Sequence, residues 1–201
     1  MTELLLVRHG QSTWNAQARW QGREDPPLSA TGMRQARWAA RSIGQVDALL
    51  ASPLDRARTT AELIGTELGI GPVLVLDGLI ERHCGAWQGL TSDEIEATWP
   101  GALGARRFPE GWEPDDDVVP RALAAIQAAA LTYPGAQLVG VTHGGVLRAL
   151  HRALGGRTEA PGFPNLAGYR LALADDARLL DAVHLLDEHA HAAIAGEEAA
   201  T

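Results

Sequence analysis

Lysine does not occur among the 201 residues, so all 17 basic side chains are arginine and lysine is excluded from every catalytic or binding role. The single cysteine, Cys84, excludes an intramolecular disulfide and a metal site built from cysteines. No apolar run is long enough to cross a bilayer, and residues 1–7 lack the length and the basic flank of a signal peptide. We therefore expect a cytoplasmic protein that has no membrane partner.

Negative charge exceeds positive charge, because 25 Asp and Glu residues face 17 arginines. The formal net charge is −8 and the isoelectric point is near 5.3. This balance argues against nucleic acid as a partner, although a local cluster of arginines is still able to bind a small anion. The length fits one domain, which we place at residues 1–191, followed by a frayed tail at residues 192–201. The sequence leaves open whether the chain forms a homodimer.

Apolar runs alternate with helical patterns along the chain. Residues 4–7 are apolar without interruption, which is typical of a strand buried on both faces of a parallel sheet. Similar runs at residues 46–51, 73–76 and 137–141 alternate with helical patterns at residues 30–44 and 53–68. The sequence thus predicts a single-domain α/β fold, a three-layer sandwich with a mostly parallel central sheet and helices on both faces. We expect residues 169–174 and 179–186 to add a final antiparallel pair.

Polar side chains with catalytic potential follow these runs where each strand is expected to end. They are Arg8 and His9 after the first run, Arg56 after the second, Glu81 after residues 79–80, and His143 after residues 137–141. The carboxyl ends of parallel strands share one edge of the sheet, where open α/β folds bind ligands. Guanidinium groups match phosphate oxygens, a neutral histidine is a nucleophile toward phosphorus, and a carboxylic acid protonates a leaving oxygen. The set predicts phosphoryl transfer that uses neither a metal nor a cofactor.

The segments that carry these residues resemble the signature of the histidine phosphatase superfamily, in its phosphoglycerate mutase-like branch. The similarity runs in the family's order through residues 6–15, 21–22, 52–57, 81, 85–89 and 142–145. The resemblance implies that His9 is the phosphorylated nucleophile, that Arg8, Arg56 and His143 complete the phosphate pocket, and that Glu81 is the proton donor.

The resemblance also implies a set of substrate-binding residues around the phosphate. Asn15, Gln21 and Gly22 would line the pocket, and the Gly144 and Gly145 amides at the start of a helix would add backbone donors. Their substrate would be a small phosphorylated molecule.

The same pocket serves two activities in this family, because mutases return the phosphate to another hydroxyl whereas phosphatases transfer it to water. Three positions depart from the cofactor-dependent phosphoglycerate mutases: Cys84 replaces a tyrosine, Ser92 a lysine and Gly145 an asparagine. The segment that follows residue 90 is also shorter than theirs. We expect a metal-independent phosphomonoester hydrolase for a small metabolite. A phosphoglycerate mutase and a phosphoprotein phosphatase of the same fold are the alternatives.

Residues 100–114 are the expected lid or specificity loop, because they are rich in Gly, Pro, Arg and Trp and follow no helical or strand period. Arg106 and Arg107 in this loop either bind a second anionic group or are solvated. Trp14, Trp20 and Trp112 are the expected walls of the pocket.

Two helix starts carry side chains of the capping type. Ser52 is expected to cap a helix that begins at Pro53, and Thr91 with Glu94 predicts a short helix after residue 91. Glu81 is expected at the end of a strand, where an exposed carboxylate without a catalytic role is the alternative.

Overall fold

The structure, a computed structural model, describes residues 1–155 and 163–185. Its strands are β1 (Thr2–Arg8), β2 (Ala48–Ala51), β3 (Val73–Val75), β4 (Gln137–Thr142), β5 (Gly168–Leu173) and β6 (Leu179–Leu185). In this part of the chain they form one six-stranded sheet in the order β3-β2-β4-β1-β5-β6. Strands β1 to β4 pair in parallel, whereas β5 lies antiparallel to both β1 and β6. The mostly parallel sheet and the final antiparallel pair are confirmed.

Helices cover both faces of this sheet. They are α1 (Thr13–Ala16), α2 (Ala30–Ala40), α3 (Asp55–Leu68), α4 (Ser92–Thr98), α5 (Asp115–Thr132) and α6 (Gly144–Ala153). One apolar cluster joins β1 to α5 and α6, and a second joins the opposite face to α2 and α3. The predicted three-layer sandwich is therefore confirmed. None of the helices in the described ranges combines the length and the apolarity needed to cross a membrane.

Strand β1 shows why its apolar run is continuous. Leu4 and Leu6 belong to the cluster with α5 and α6, whereas Val7 belongs to the cluster with α2 and α3. Successive side chains of a strand point to opposite faces, so a strand covered on both faces needs an apolar residue at every position. With β4 on one side and β5 on the other, β1 is central, and its carboxyl end is held in place.

The prediction that Ser52 caps a helix starting at Pro53 is wrong. Helix α3 begins at Asp55, and its N-cap residue Leu54 makes no capping bond through its side chain. The carboxylate of Asp25 instead accepts the Asp55 N–H at 2.8 and 3.0 Å. A carboxylate supplied from a distant loop thus takes the place of a local cap.

Two further local predictions need correction. Helix α2 ends at Ala40, four residues before the end of the predicted pattern at residue 44. Glu81 does not end a strand, because β3 stops at Val75 and a 3-10 turn at Asp77–Leu79 intervenes. The capping box of Thr91 and Glu94 is confirmed at the start of α4. The predicted tail at residues 192–201 lies outside the described residues.

Candidate active site

The two histidines predicted at strand ends lie side by side. Strands β1 and β4 are parallel neighbours with Arg8 opposite Thr142, so the residues that follow, His9 and His143, leave the sheet together. The His9 N–H donates to the Thr142 carbonyl at 2.9 Å, and the ring centroids of the two histidines are 5.1 Å apart with 60° between their planes. Both side chains are buried.

The protonation of His9 follows from its single hydrogen bond. Its Nδ1 lies 2.6 Å from the Gly10 carbonyl oxygen, which is only an acceptor, so Nδ1 carries the proton. Burial, and then the positive charges of Arg56 and Arg8, lower the pKa of His9 well below its usual value. The imidazole is therefore neutral at pH 7, with the Nε2 lone pair free for attack.

Arg56 is held beneath the histidines by backbone carbonyls. It is the second residue of α3 and is fully buried, and its guanidinium donates to the Gly22 oxygen at 2.8 Å and to the Glu24 oxygen at 2.6 Å. The Asp25 carboxylate that receives the α3 N-terminus lies 3.5 Å from Arg56 Nη1. The Arg56 guanidinium is therefore held in the protein interior and not on the solvent side of α3.

Ser52 forms a hydrogen bond with His143 and does not cap helix α3. Its hydroxyl lies 2.7 Å from Nε2 of His143 and also accepts the Leu54 N–H at 3.3 Å. A Ser52 hydroxyl that donates to Nε2 leaves the proton of His143 on Nδ1. Burial, and then Arg56, lower the pKa of His143 well below its usual value, so this ring is also neutral at pH 7.

Most of the buried side-chain nitrogen atoms that lack a hydrogen-bond partner in the described part of the chain belong to the predicted phosphate-pocket residues Arg8, Arg56 and His143. Among the described residues they are Arg8 Nε, Arg56 Nε, His143 Nδ1 and Trp87 Nε1. A buried donor left without a partner costs about 1–3 kcal/mol, so native proteins rarely keep several together. Burial, and then Arg148, lower the pKa of Arg8 to about 10, which still leaves it cationic at neutral pH. Such a group of cationic and N–H donors suits an anion.

Glu81 reaches the same place from the turn after β3. Its Oε1 accepts the Arg82 N–H at 2.8 Å and its Oε2 accepts the Gly145 N–H at 2.9 Å. The Arg82 side chain in turn donates to the Gly145 oxygen at 3.2 Å and to Asp115 at 2.6 Å. The carboxylate is thus fixed against the first turn of α6, which excludes the alternative of a free surface carboxylate.

A cavity of about 590 Å³ opens onto this cluster. Of the nine predicted site residues, seven line it: Arg8, His9, Asn15, Gln21, Gly22, Glu81 and Gly144. Arg56 and His143 do not line it, because they lie fully buried behind His9. Arg148 also lines the cavity, although it is not among the predicted site residues. Its spacing of four residues from Gly144 on one helix is the signal that could have found it.

Aromatic side chains form the outer wall. Trp20, Trp87, Phe108 and Trp112 line the cavity, and Phe108 stacks on Trp112 with centroids 4.1 Å apart. Trp20 and Trp112 were predicted as walls, whereas the predicted Trp14 does not line the cavity and Trp87 does.

The 100–114 loop contributes part of this wall, and only one of its two arginines faces the cavity. Arg106 lines the cavity with its guanidinium over Phe108, whereas Arg107 donates to the Pro100 oxygen at 2.9 Å and lies outside. In residues 1–155 and 163–185 no three His, Cys, Asp or Glu side chains are grouped closely enough to hold a metal ion.

Comparison with known proteins agrees with this geometry. The profile of the histidine phosphatase superfamily (branch 1) matches residues 4–178. The chain is 36% identical over 161 residues to a metal-independent phosphoserine phosphatase of Arabidopsis thaliana, covering 75% of this chain and 68% of that protein. It is also 36% identical over 171 residues to a 2,3-bisphosphoglycerate-dependent phosphoglycerate mutase of Methylobacterium radiotolerans, covering 78% and 81%.

A solved structure of a phosphatase has a similar fold. A mycobacterial glucosyl-3-phosphoglycerate phosphatase in complex with VO3 superposes with a TM-score of 0.73 at 34% identity, covering 85% of this chain and 92% of that one. The profile match includes His9 and His143, the carboxyl ends of β1, β2 and β4, and Glu81. The chain therefore belongs to branch 1 of the histidine phosphatase superfamily.

Proposed function

We propose that this enzyme hydrolyses small phosphomonoesters through a phosphohistidine formed on His9. The observation that carries the proposal is the Nδ1 hydrogen bond of His9, which leaves Nε2 unprotonated among the unpartnered donors of Arg8, Arg56 and His143. In the first step a bond forms between Nε2 and phosphorus while the bond from phosphorus to the leaving oxygen breaks. The leaving oxygen takes its proton from the carboxylic acid form of Glu81.

In the second step Glu81 acts as the base. Its carboxylate removes a proton from water, the water oxygen attacks phosphorus, and the bond to Nε2 breaks with release of inorganic phosphate. The neutral His9 is regenerated, and Glu81 is again protonated for the next turnover. Both steps use the same carboxylate held by Gly145 and Arg82.

The other site residues stabilise charge on the phosphoryl oxygens. Arg8 supplies a guanidinium in the cavity, while Arg56 and His143 are fully buried next to it. Burial, and then the charges of Arg56 and Arg8, keep the pKa of His9 low. Asn15, Gln21, Gly22 and Gly144 line the cavity and are proposed to contact the substrate. Phosphoryl transfer depends mainly on such positioning and charge stabilisation, which these residues supply without a metal.

Hydrolysis is preferred over the mutase reaction because of the side chains that face the cavity. Cys84, in place of a tyrosine, lines it with a thiol whose pKa burial raises to about 12, and Gly145 carries no side chain. Ser92 accepts the Trp20 indole N–H at 3.3 Å and does not line the cavity. A phosphoglycerate would therefore have few groups to hold it while it reorients, and the phosphoryl group would pass to water.

A product analysis separates the two reactions. With 3-phosphoglycerate and catalytic 2,3-bisphosphoglycerate we expect free phosphate and little or no 2-phosphoglycerate. The His9→Ala variant serves as the background control. Interconversion of the phosphoglycerates much faster than phosphate release would instead make this chain a mutase.

The aromatic wall supports a small-molecule substrate rather than a phosphoprotein. The loop residues Phe108 and Trp112 stack on each other and line a cavity of about 590 Å³, a size that suits a small molecule. A cytoplasmic location, a domain boundary at residue 191 and the role of residues 100–114 as a lid or specificity loop stay predictions from the sequence.

A further inference from the structure

The turn that carries Glu81 is not part of the sheet. Strand β3 is followed by the 3-10 turn Asp77–Leu79, and residues 80–83 form neither helix nor strand. The hydrogen bonds of a sheet therefore do not fix this backbone. A catalytic group that is misplaced by about 1 Å can cost about 10²-fold in rate, so the turn needs bonds from other parts of the chain.

Two arginines outside the cavity supply such bonds. Arg121 on α5 donates from Nη1 to the Gly78 oxygen at 2.8 Å and to the Ile80 oxygen at 2.6 Å. Arg23 donates from Nε to the carbonyl oxygen of Glu81 itself at 3.2 Å. The two guanidiniums therefore bind the backbone that leads into the acid and the backbone of the acid, while neither lines the cavity.

Glu113 joins the two arginines to each other and to the same turn. Its carboxylate accepts Arg121 Nε at 2.8 Å and Nη2 at 3.0 Å, and Arg23 Nη2 lies 3.2 Å from each of its oxygens. It also accepts the His83 N–H at 3.1 Å, and the Glu113 N–H donates to the His83 oxygen at 3.0 Å. One carboxylate thus holds the backbone on both sides of Glu81, directly at His83 and otherwise through the two arginines.

The Glu113 carboxylate is shielded from solvent and stays charged. Its side chain is 13% exposed. Partial burial alone favours a higher pKa, but Arg121, Arg23 and the His83 N–H lower the pKa of Glu113 below its usual value. The carboxylate is therefore ionised at neutral pH, and its bidentate pair with Arg121 fixes the geometry of both partners.

We propose that Glu113 is a positioning residue that holds Glu81 in place for proton transfer to the leaving oxygen. This inference rests on the proposed function, in which Glu81 is the acid, and adds a residue whose side chain does not line the cavity. Glu113 also belongs to the 100–114 loop, whose Phe108 and Trp112 form part of the aromatic wall. The same carboxylate therefore connects the wall of the cavity with the turn that carries the acid.

The dependence on the leaving group separates positioning of the acid from general support of the fold. An alkyl phosphate needs the acid far more than p-nitrophenyl phosphate does, so kcat is measured with both substrates for the wild type, Glu113→Gln and Arg23→Gln. Glu96→Gln is the matched control, because Glu96 accepts the Gly101 and Leu103 N–H groups at 2.6 and 2.9 Å. It holds the same loop at its other end, away from the acid.

Glu113→Gln should reduce kcat for the alkyl phosphate about 10- to 100-fold and kcat for p-nitrophenyl phosphate by less than about threefold. Arg23→Gln should show a smaller loss of the same kind, because the bonds from Arg121 to the turn remain. Glu96→Gln should leave the ratio of the two rates unchanged. Equal losses on both substrates in Glu113→Gln would assign Glu113 a structural role and overturn the inference, as would the same change of ratio in Glu96→Gln.

A double variant tests whether Glu113 acts through Glu81. Added to Glu81→Gln, the Glu113→Gln change should cost little further alkyl phosphate activity, since residues that act as a unit are not additive. Losses that multiply would overturn the inference. A selective loss in Glu81→Gln without one in Glu113→Gln overturns this inference alone, whereas equal losses on both substrates in Glu81→Gln overturn the acid role and the inference together.

Arg23→Gln keeps the inference testable if Glu113→Gln does not fold. The Arg23 side chain is 39% exposed, and its replacement leaves the pair of Glu113 with Arg121 in place. Urea unfolding of Arg23→Gln should match that of the wild type, while the alkyl phosphate rate falls more than the p-nitrophenyl phosphate rate. An Arg23→Gln variant in which the two rates change alike would contradict the proposal.

Discussion

Glu81 and Gly145 are in contact because residue 145 has no side chain. The Gly145 N–H donates to Glu81 Oε2 at 2.9 Å, and a Cβ built on Gly145 would lie 2.3 Å from Oε1. Real Cβ atoms do not approach an oxygen so closely, so in this chain a larger residue at 145 requires the Glu81 carboxylate to shift. The position of the Glu81 carboxylate therefore depends on glycine at residue 145.

Replacement of Gly145 by alanine should consequently remove most of the acid catalysis. We expect a loss of about 10²–10⁴-fold in kcat for an alkyl phosphate, the range that a general acid typically contributes. Gly44→Ala is the matched control, because no heavy atom lies within 4 Å of the Cβ that it would add. Retention of activity in Gly145→Ala would show that Glu81 is not the acid or that its position is not fixed by residue 145.

Substitution of Glu81 itself should have an effect that depends on the leaving group. An alkoxide needs protonation as it leaves, whereas p-nitrophenolate does not, so Glu81→Gln should reduce alkyl phosphate hydrolysis far more than p-nitrophenyl phosphate hydrolysis. The expected difference is about 10²-fold or more. Glu62→Gln on the exposed face of α3 is the control. Equal losses on both substrates would assign Glu81 a structural role instead.

Stability should fall below neutral pH because of the two buried histidines. The pKa values of His9 and His143 are lowered in the folded state, so below about pH 6.5 the unfolded chain binds protons that the native state does not. The contribution of the two histidines to the free energy of unfolding should be fully present above that pH. It should decrease by up to about 1.4 kcal/mol per pH unit for each histidine as the pH falls.

Urea unfolding between pH 7.5 and 5.5 measures this dependence. His9→Asn should reduce the slope, because one of the two titrating groups is gone. Asp115 does not contribute in this range: partial burial favours a higher pKa, but Arg152 and Arg82 lower it to about 2. A pH dependence that is the same in His9→Asn and in the wild type would contradict the low pKa of His9.

Local sequence patterns were enough to predict the strands and their polar ends. Each apolar run lies within a few residues of its own histidine, residues 4–7 before His9 and residues 137–141 before His143, and parallel pairing of β1 with β4 then brings the two strand ends to one edge. Nothing in this inference needs the detailed packing of side chains. That is why the sheet and the pairing of His9 with His143 were predicted correctly.

The parts that were missed depend on residues far apart in the sequence. Asp25, 30 residues away, accepts the Asp55 N–H at the start of α3. Ser52 therefore does not have the capping role that its local sequence suggested. Glu81 meets Gly145 across 64 residues, so its position could not be read from the turn that carries it. Arg148 gave only a helical spacing, and its place in the lining of the cavity is apparent only in the folded structure.

The most direct test of the account is the identity of the phosphorylated residue. Rapid quenching of the wild-type enzyme with a radiolabelled phosphomonoester should trap an acid-labile, base-stable label on the protein, located at His9 by peptide mapping. His9→Ala should carry no label and release no phosphate. Label that persists in His9→Ala, or turnover without any phosphoenzyme in the wild type, would contradict the central claim that His9 Nε2 is the nucleophile.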